Sequence, residues 1–148
     1  MTEQIYFEDV SPGLELPSQE EKVGMTMVVK FASGSGDLSP IHHDIEAARF
    51  RGLDYPIVMA PLKMALVDRF FSDWYGARGF LKKLSGQFRG VDRVGNTLVI
   101  RAVVDRKYAL DGANYAECEF WIENREKGER TSKGRAVISL PSRTDTPA

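Results

Sequence analysis

The stretch PLKMALVDRFFSDWY, residues 61–75, carries the clearest secondary-structure signal in the chain. Pro61 suits the first helical position, where its missing N–H breaks no hydrogen bond, and Gly76 suits the end of a helix. The first two turns are almost wholly apolar, and most of the charged residues come in the second half. A helix that is apolar on nearly all sides has to be covered by other elements. The stretch therefore predicts one long, buried central helix.

Three segments that follow this helix alternate between apolar and polar residues, over 98–105, 116–123 and 135–140. Such alternation is typical of strands that bury one face of a sheet. Turn signals flank the segments, at Gly95-Asn96, Asp111-Gly112 and Lys127-Gly128. One buried helix and a sheet with a single apolar face predict an α+β domain in which the antiparallel sheet wraps around the helix.

The residues before the central helix give weaker signals. Residues 26–33 fit a short helix or a strand, and we favour the helix. Glycines and a proline predict a loop over residues 34–44, and Asp44 can cap a helix that ends at Gly52. At the other end of the chain, we expect the residues after about 141 to form a frayed tail.

The length of 148 residues fits a single domain that spans residues 1–148. Lys and Arg number 20 and Asp and Glu number 21, so the net charge of −1 favours neither nucleic acid nor an anionic membrane as a partner. No run approaches the roughly 18 apolar residues of a membrane-spanning helix, and the first residues do not resemble a signal peptide. Cys118 is the only cysteine, which excludes an intrachain disulfide and fits a reducing compartment. We therefore expect a cytoplasmic protein.

The only two histidines, His42 and His43, lie in the loop GSGDLSPIHHD, close to Asp37 and Asp44. A histidine titrates near pH ~6.5 and can therefore take or give a proton at neutral pH. A carboxylate within reach of the same water completes an acid–base pair. The alternative is that both aspartates cap turns and both histidines lie at the surface. The residues alone do not choose between the two histidines.

Other kinds of site have weaker support. Adjacent histidines generally point apart, and the chain has neither two histidines at helical spacing nor a cysteine pair, so we predict no metal and no cofactor. Cys118 falls on the apolar face of a strand, which is typical of a small core residue rather than a nucleophile. The Gly-Ser-Gly of residues 34–36 lacks the Lys-Ser/Thr ending of a phosphate-binding loop.

The segment SGDLSPIHHD, residues 35–44, resembles the Ser-Gly-Asp-x-Asn-Pro-Ile-His signature of the MaoC-like, (R)-specific enoyl-CoA hydratase family. The similarity extends over four further segments, YFEDVSPGLELP (6–17), IVMAPLKM (57–64), QFRGVDRVGNTL (87–98) and GRAVISL (134–140). The His-His-Asp triplet and DRFFSDWYG (68–76) also resemble the catalytic subunit of steroid side-chain hydratases within this family. The resemblance implies a hot-dog fold, a curled antiparallel sheet around one central helix.

The resemblance also implies a reaction and a catalytic pair. Members of the family add water reversibly to a trans-2-enoyl thioester and form an (R)-3-hydroxyacyl thioester. Asp37 and His42 match the catalytic Asp and His, which would hold one water between them. The backbone N–H of Ala60 matches the family's glycine amide just before the central helix, which binds the thioester oxygen. His43 and Asp44 fall outside the catalytic pair.

Several positions depart from the family pattern. Met59-Ala60 replaces His-Gly before the helix, Ser39 replaces an asparagine, and Gln87 replaces an arginine. Lys63 stands where a small polar residue is common, and a solvated or carboxylate-paired lysine is the favoured alternative to a pocket-lining one. The substrate-binding residues predicted on this basis are Ser39, Met59, Leu62, Lys63 and Gln87.

The implied substrate is carried by coenzyme A or by acyl carrier protein. Basic side chains at the pocket mouth would bind phosphates, and the candidates are Lys82, Lys83, Arg89 and Arg93. The family resemblance implies a homodimer or higher homo-oligomer joined sheet edge to sheet edge, with substrate between subunits, or a heteromer with a related hot-dog chain. The alternative activities are a hot-dog acyl-CoA thioesterase, a dehydratase acting on acyl carrier protein, and one subunit of a heteromeric hydratase.

Overall fold

A computed structural model of the chain describes residues 3–144. Its helices and strands follow one another as β1 (Gln19–Lys22), α1 (Met25–Ser35), α2 (Ile45–Phe50), α3 (Ala60–Tyr75), β2 (Phe80–Gln87), β3 (Thr97–Leu110), β4 (Ala113–Asn124) and β5 (Glu129–Leu140). Short 3-10 turns lie at Phe7–Asp9 and Pro40–His42. The predicted central helix is α3, which begins one residue earlier than expected, so Pro61 is its second residue.

The five strands form one antiparallel sheet in the order β1-β3-β4-β5-β2. Strands β3, β4 and β5 are consecutive hairpins, as the alternating pattern predicts. The first hairpin turns at Asp111 and Gly112, whose φ angles of 51° and 77° fit a two-residue turn that matches the twist of the strands. Strand β2 follows α3 and pairs with β5, so β1 and β2 are the two edges of the sheet.

The core lies between the curled sheet and α3. Phe71 of α3 is fully buried, and its ring packs edge to face against Phe70 at 5.1 Å and against Phe120 of β4 at 6.2 Å. Burial of each such side chain stabilises the fold by about 1.5–3 kcal/mol. Cys118 is also buried in this core, as predicted, and burial raises the pKa of its thiol to about 12.

One glycine allows β2 to approach β5 closely. Gly134 of β5 lies opposite Gly86 of β2. A Cβ atom on Gly134 would come within 2.1 Å of the Ser85 backbone oxygen and 2.5 Å of the Phe120 ring. Any larger residue at position 134 would therefore push β2 away from the sheet.

The amino-terminal half confirms the two helix predictions made for it. Residues 25–35 form α1, the favoured alternative for that stretch, and Gly36 ends it with a left-handed φ of 77°. The Asp44 carboxylate accepts hydrogen bonds from the backbone N–H groups of Glu46 (2.8 Å) and Ala47 (3.1 Å) and so caps α2. None of the helices in residues 3–144 is both long and apolar enough to cross a membrane.

The carboxyl-terminal residues differ from the expected frayed tail. Ser142 is buried, and its hydroxyl donates a hydrogen bond to Glu8 Oε1 at 2.5 Å. The Arg143 backbone N–H donates to Glu8 Oε2 at 3.2 Å, and its guanidinium pairs with Asp9. The prediction failed at these two residues because their partners lie more than 130 positions away in sequence. The expected tail at residues 145–148 lies outside the described residues.

Candidate active site

The loop between α1 and α2 carries both Asp37 and His42. It follows the left-handed Gly36 and then tightens into the 3-10 turn at Pro40–His42. The Pro40 carbonyl accepts hydrogen bonds from the N–H groups of His43 (3.1 Å) and Asp44 (2.8 Å). Gly36 allows the left-handed turn at one end of the loop, Pro40 fixes its own φ, and the backbone bonds close the 3-10 turn. The loop therefore holds its side chains in fixed directions.

Asp37 and His42 face each other across a narrow gap. His42 Nε2 lies 3.8 Å from Asp37 Oδ2. This distance is too long for a direct hydrogen bond, but it allows one water to lie within hydrogen-bond distance of both atoms. The His42 side chain is 10% exposed and that of Asp37 is 35% exposed, so the gap opens to solvent on the aspartate side.

A backbone carbonyl fixes the proton of the His42 ring. The Ile57 carbonyl oxygen lies 2.7 Å from His42 Nδ1. Because a carbonyl oxygen can only accept, Nδ1 carries the hydrogen of this bond. In the neutral imidazole the other nitrogen, Nε2, then has a free lone pair, and it faces Asp37. The gap is therefore bounded by two hydrogen-bond acceptors whenever Asp37 is ionised and His42 is neutral.

The neighbouring residues of the motif lie outside this gap. His43 is exposed, and Asp44 is engaged as the cap of α2. The structure therefore brings together the two residues that the family resemblance selects, and not the other two.

The segment that carries Ile57 leads directly into α3. Its backbone pairs with residues 92–94, since the Val58 N–H donates to the Asp92 carbonyl at 2.8 Å and the Val94 N–H donates to the Pro56 carbonyl at 2.9 Å. The Ile57 N–H donates to the Ile41 carbonyl, 3.2 Å away in the loop that carries Asp37 and His42. Ala60 begins α3 three residues later, which is within about 11 Å of Ile57 along the chain. The first N–H groups of a helix have no partner within it, so they are free for a ligand.

The predicted substrate-binding residues occupy different surroundings. Met59 and Leu62 are buried at the start of α3. Ser39 is half-buried and lines a cavity of about 910 Å³ beside α2, where Phe50 is 90% exposed. Gln87 is exposed at the end of β2 and lines a separate cavity of about 530 Å³ on the sheet. Ser39 and Gln87 therefore do not share a cavity in the single chain.

Lys63 is buried and paired with a carboxylate. Its Nζ lies 2.5 Å from Asp92 Oδ2 and donates a hydrogen bond to the Gly90 carbonyl at 2.9 Å. Lys63 is 2% exposed, and Asp92 is fully buried. The carboxylate-paired alternative therefore describes Lys63. Sequence reasoning missed Asp92, which reads as an ordinary turn residue; the signal was Lys63 itself, because a lysine inside an apolar helical turn needs a buried partner.

The basic candidates for phosphate binding separate into two groups. Arg93 pairs with Asp54, and Arg89 is exposed. Lys82 and Lys83 line a cleft of about 410 Å³ between β2 and the start of α3, where Pro61 also lies. This cleft places two positive charges near the helix start. Within residues 3–144, no three His, Cys, Asp or Glu side chains cluster closely enough to hold a metal ion.

Comparison with known proteins identifies the family. A family model for the MaoC-like domain matches residues 11–127, which is most of the chain. A search of curated proteins gives no match.

Solved structures share the fold at low sequence identity. The (R)-hydratase from A. caviae involved in PHA biosynthesis is 22% identical, with a TM-score of 0.81, over 90% of this chain and 99% of that one. R-hydratase PhaJ1 from Pseudomonas aeruginosa is 18% identical, with a TM-score of 0.85, over 98% and 95%. The ChsH1–ChsH2 complex from Mycobacterium tuberculosis gives 20% identity and a TM-score of 0.77, over 88% and 98%. The chain therefore belongs to the MaoC-like family, and it is a hot-dog enzyme of the hydratase and dehydratase class.

Proposed function

We propose that the protein adds water reversibly to a trans-2-enoyl-CoA and forms an (R)-3-hydroxyacyl-CoA, with Asp37 and His42 activating the water. The observation that carries this proposal is the 3.8 Å gap between His42 Nε2 and Asp37 Oδ2. Family membership supports the class of reaction, and the geometry of the gap supports the two residues.

The two acceptors orient the water for attack. A water that donates one hydrogen to Asp37 and the other to His42 Nε2 has both lone pairs pointing away from the pair, toward the substrate. One lone pair forms the C3–O bond while one of the two side chains takes a proton from the water. The π electrons of the C2–C3 double bond move toward the thioester carbonyl, and C2 then receives the proton that this side chain took, so that one water is consumed and the side chain returns to its starting state. Positioned proton transfer of this kind typically contributes about 10²- to 10⁴-fold in rate.

The start of α3 stabilises the charge that develops on the thioester oxygen. Ala60 is exposed, and its N–H lies at the positive end of the helix. Pro61 has no N–H, which removes one other donor from this turn. One donor aimed at a developing oxyanion is worth about 10²- to 10³-fold in rate.

The remaining predicted contacts concern the acyl chain and its carrier. Met59 and Leu62 supply apolar surface beside Ala60, and Ser39 supplies a polar group two residues from Asp37, whereas Gln87 lines a separate cavity on the sheet. Lys82 and Lys83, which line the cleft beside α3 together with Asp68, would attract the phosphates of coenzyme A. An acyl carrier protein would present a phosphate at the same place.

Assembly through a sheet edge is part of this proposal. Strand β2 is an edge of the sheet, and Phe80 on it is 61% exposed. A second chain that pairs along this edge would cover the unpaired backbone groups. The partner is an identical chain or a related one, and the solved structures with this fold include complexes described as ChsH1–ChsH2 and as HadBC, a 3R-hydroxyacyl-ACP dehydratase.

The test is an enoyl-CoA hydration assay with three variants. Crotonyl-CoA and longer or branched enoyl-CoAs are added to the pure protein, and loss of the conjugated thioester absorbance is followed. Asp37→Asn and His42→Ala should each lose about 10²- to 10⁴-fold in kcat. His43→Ala is the matched control and should keep wild-type activity, since His43 is exposed and outside the gap. Full activity in both catalytic variants would overturn the proposal.

The same assay separates the alternatives. Release of free thiol from a saturated acyl-CoA would favour a thioesterase. Preference for a carrier-bound substrate would favour an acyl carrier protein dehydratase. Activity that appears only when a related hot-dog chain is added would favour a heteromeric hydratase.

A further inference from the structure

Four buried polar side chains meet beside the segment of residues 56–58, and the proposed reaction does not use them. Lys63 comes from α3, Asp92 from the turn before β3, Asn124 from the end of β4, and Thr131 from the start of β5. All four are at least 96% buried. We call Lys63, Asp92, Asn124 and Thr131 the buried polar cluster.

Asp92 is the centre of this cluster, and both of its carboxylate oxygens are satisfied. Oδ1 accepts a hydrogen bond from Asn124 Nδ2 at 2.7 Å. Oδ2 accepts from Thr131 Oγ1 at 2.9 Å and lies 2.5 Å from Lys63 Nζ. The Asn124 amide also donates to Asn96 Oδ1 at 3.0 Å, which fixes the turn that follows Asp92. These bonds allow Asp92 one position, because a buried carboxylate that loses its partners is strongly disfavoured.

Backbone hydrogen bonds connect Asp92 to the catalytic histidine. The Asp92 carbonyl accepts from the Val58 N–H at 2.8 Å, and the neighbouring Ile57 carbonyl accepts from His42 Nδ1 at 2.7 Å. The segment of residues 56–58 therefore lies between the cluster and the catalytic histidine. The ion pair between Asp92 and Lys63 also connects Asp92 to the start of α3, because Lys63 lies three residues after Ala60.

We propose that Asp92 is a positioning residue for the hydration reaction, and that the buried polar cluster acts through it. It holds the Ile57 carbonyl that fixes the His42 tautomer, and it holds the start of α3 that supplies the Ala60 N–H. The Lys63–Asp92 ion pair thus fixes the position of His42, which activates the water, relative to the Ala60 N–H, which binds the thioester oxygen. The effect on rate rests on the proposed function, whereas the effect on the histidine ring does not.

A purely structural role gives a different expectation. Buried ion pairs can often be replaced by apolar side chains of similar size without loss of stability. If the cluster only filled space, such a replacement would leave His42 and the rate unchanged. If it positions the site, the replacement would fold but would loosen residues 56–58 and the histidine.

The experiment uses two variants of the full chain and reads His42 directly. Lys63→Met combined with Asp92→Leu removes both charges while keeping volume, and Thr131→Val removes one donor to Asp92 without changing shape. Thr131→Ser is the matched control, because it keeps the hydroxyl. Nitrogen-15 NMR reports which ring nitrogen carries the proton at about pH 8, where a histidine is neutral. His43→Gln assigns the signals, since the chain has two histidines.

The wild-type protein should show the Nδ1–H tautomer for His42. The double variant should show a mixture of tautomers and about a 10- to 100-fold lower kcat with little change in KM, as misplacement of a catalytic group produces. Thr131→Val should show a smaller change in the same direction, and Thr131→Ser should resemble wild type. A folded double variant that keeps the wild-type His42 signals overturns the proposal, whatever its rate. If wild-type protein hydrates no enoyl-CoA, the proposed function fails, but the NMR comparison still decides the positioning role.

Discussion

The loop of residues 34–44 and the buried polar cluster lie on either side of residues 56–58 and are built in different ways. The loop of residues 34–44 takes its shape from neighbours in sequence, with Gly36, Pro40 and Asp44 each acting within four residues of their own position. The cluster takes its shape from four segments that are up to 68 residues apart, from Lys63 to Thr131. A local turn of this kind can hold chemistry at the surface, whereas a buried charge needs the whole fold around it.

The two regions should therefore respond differently to substitution. Removing a side chain from the cluster leaves an unpaired group in the dry interior, so the cost appears in stability. Removing the Asp37 carboxylate changes the side of the gap that is open to solvent, so the cost appears mainly in rate. The difference teaches that the residues closest to the chemistry are not those on which the fold depends.

The largest stability effect should come from Asp92→Ala. It leaves the Lys63 ammonium buried without its carboxylate, and breaking a buried pair in this way costs about 3–5 kcal/mol. Urea unfolding at a fixed protein concentration measures the change. Glu119→Ala is the control, since it breaks the ion pair between Arg135 and Glu119, whose side chains are 61% and 49% exposed, and it should cost far less. Equal losses in the free energy of unfolding would contradict the claim that the buried polar cluster contributes more to stability than a surface ion pair.

Burial of Cys118 in the core should make the stability of the protein depend on pH. Burial raises the pKa of this thiol from 9.0 to about 12, so the folded protein holds the thiol neutral where the unfolded chain ionises it. The stabilisation is complete below about pH 9 and is lost between pH 9 and 12, at about 1.4 kcal/mol per pH unit. Cys118→Ala should lack this part of the pH dependence in urea unfolding curves. Parallel stability–pH curves for the two proteins would contradict the prediction.

The smallest effect should come from the cap beside the catalytic loop. Asp44→Ala removes the acceptor of two N–H groups at the start of α2 and should cost about 0.5–2 kcal/mol. Asp44→Ser keeps an N-cap acceptor and should recover most of that loss. Thermal unfolding measures both variants. A loss in Asp44→Ala as large as that in Asp92→Ala would show that the loop also depends on long-range support.

What the sequence could predict follows this same division. Alternation along β3–β5, the apolar turns of α3 and the cap at Asp44 are local patterns, and each predicts its element correctly. The match of Asp37 and His42 to a family motif selects the two residues that face each other at 3.8 Å.

Local sequence patterns could not predict the Lys63–Asp92 pair or the contacts of Ser142 with Glu8. Both depend on the position of segments far apart in the chain, and no local pattern encodes which polar side chains meet in the interior. Lys63 did require a partner, but only the fold identifies Asp92 as that partner.

The central claim is that Asp37 and His42 act together on one water, and the most direct test is a double-mutant cycle in the enoyl-CoA hydration assay. Asp37→Asn, His42→Ala and the double variant should all fall to a similar low kcat, since either change removes the oriented water and the second then has nothing left to remove. Losses that multiply in the double variant would contradict the account, because they would mean that the two side chains act independently.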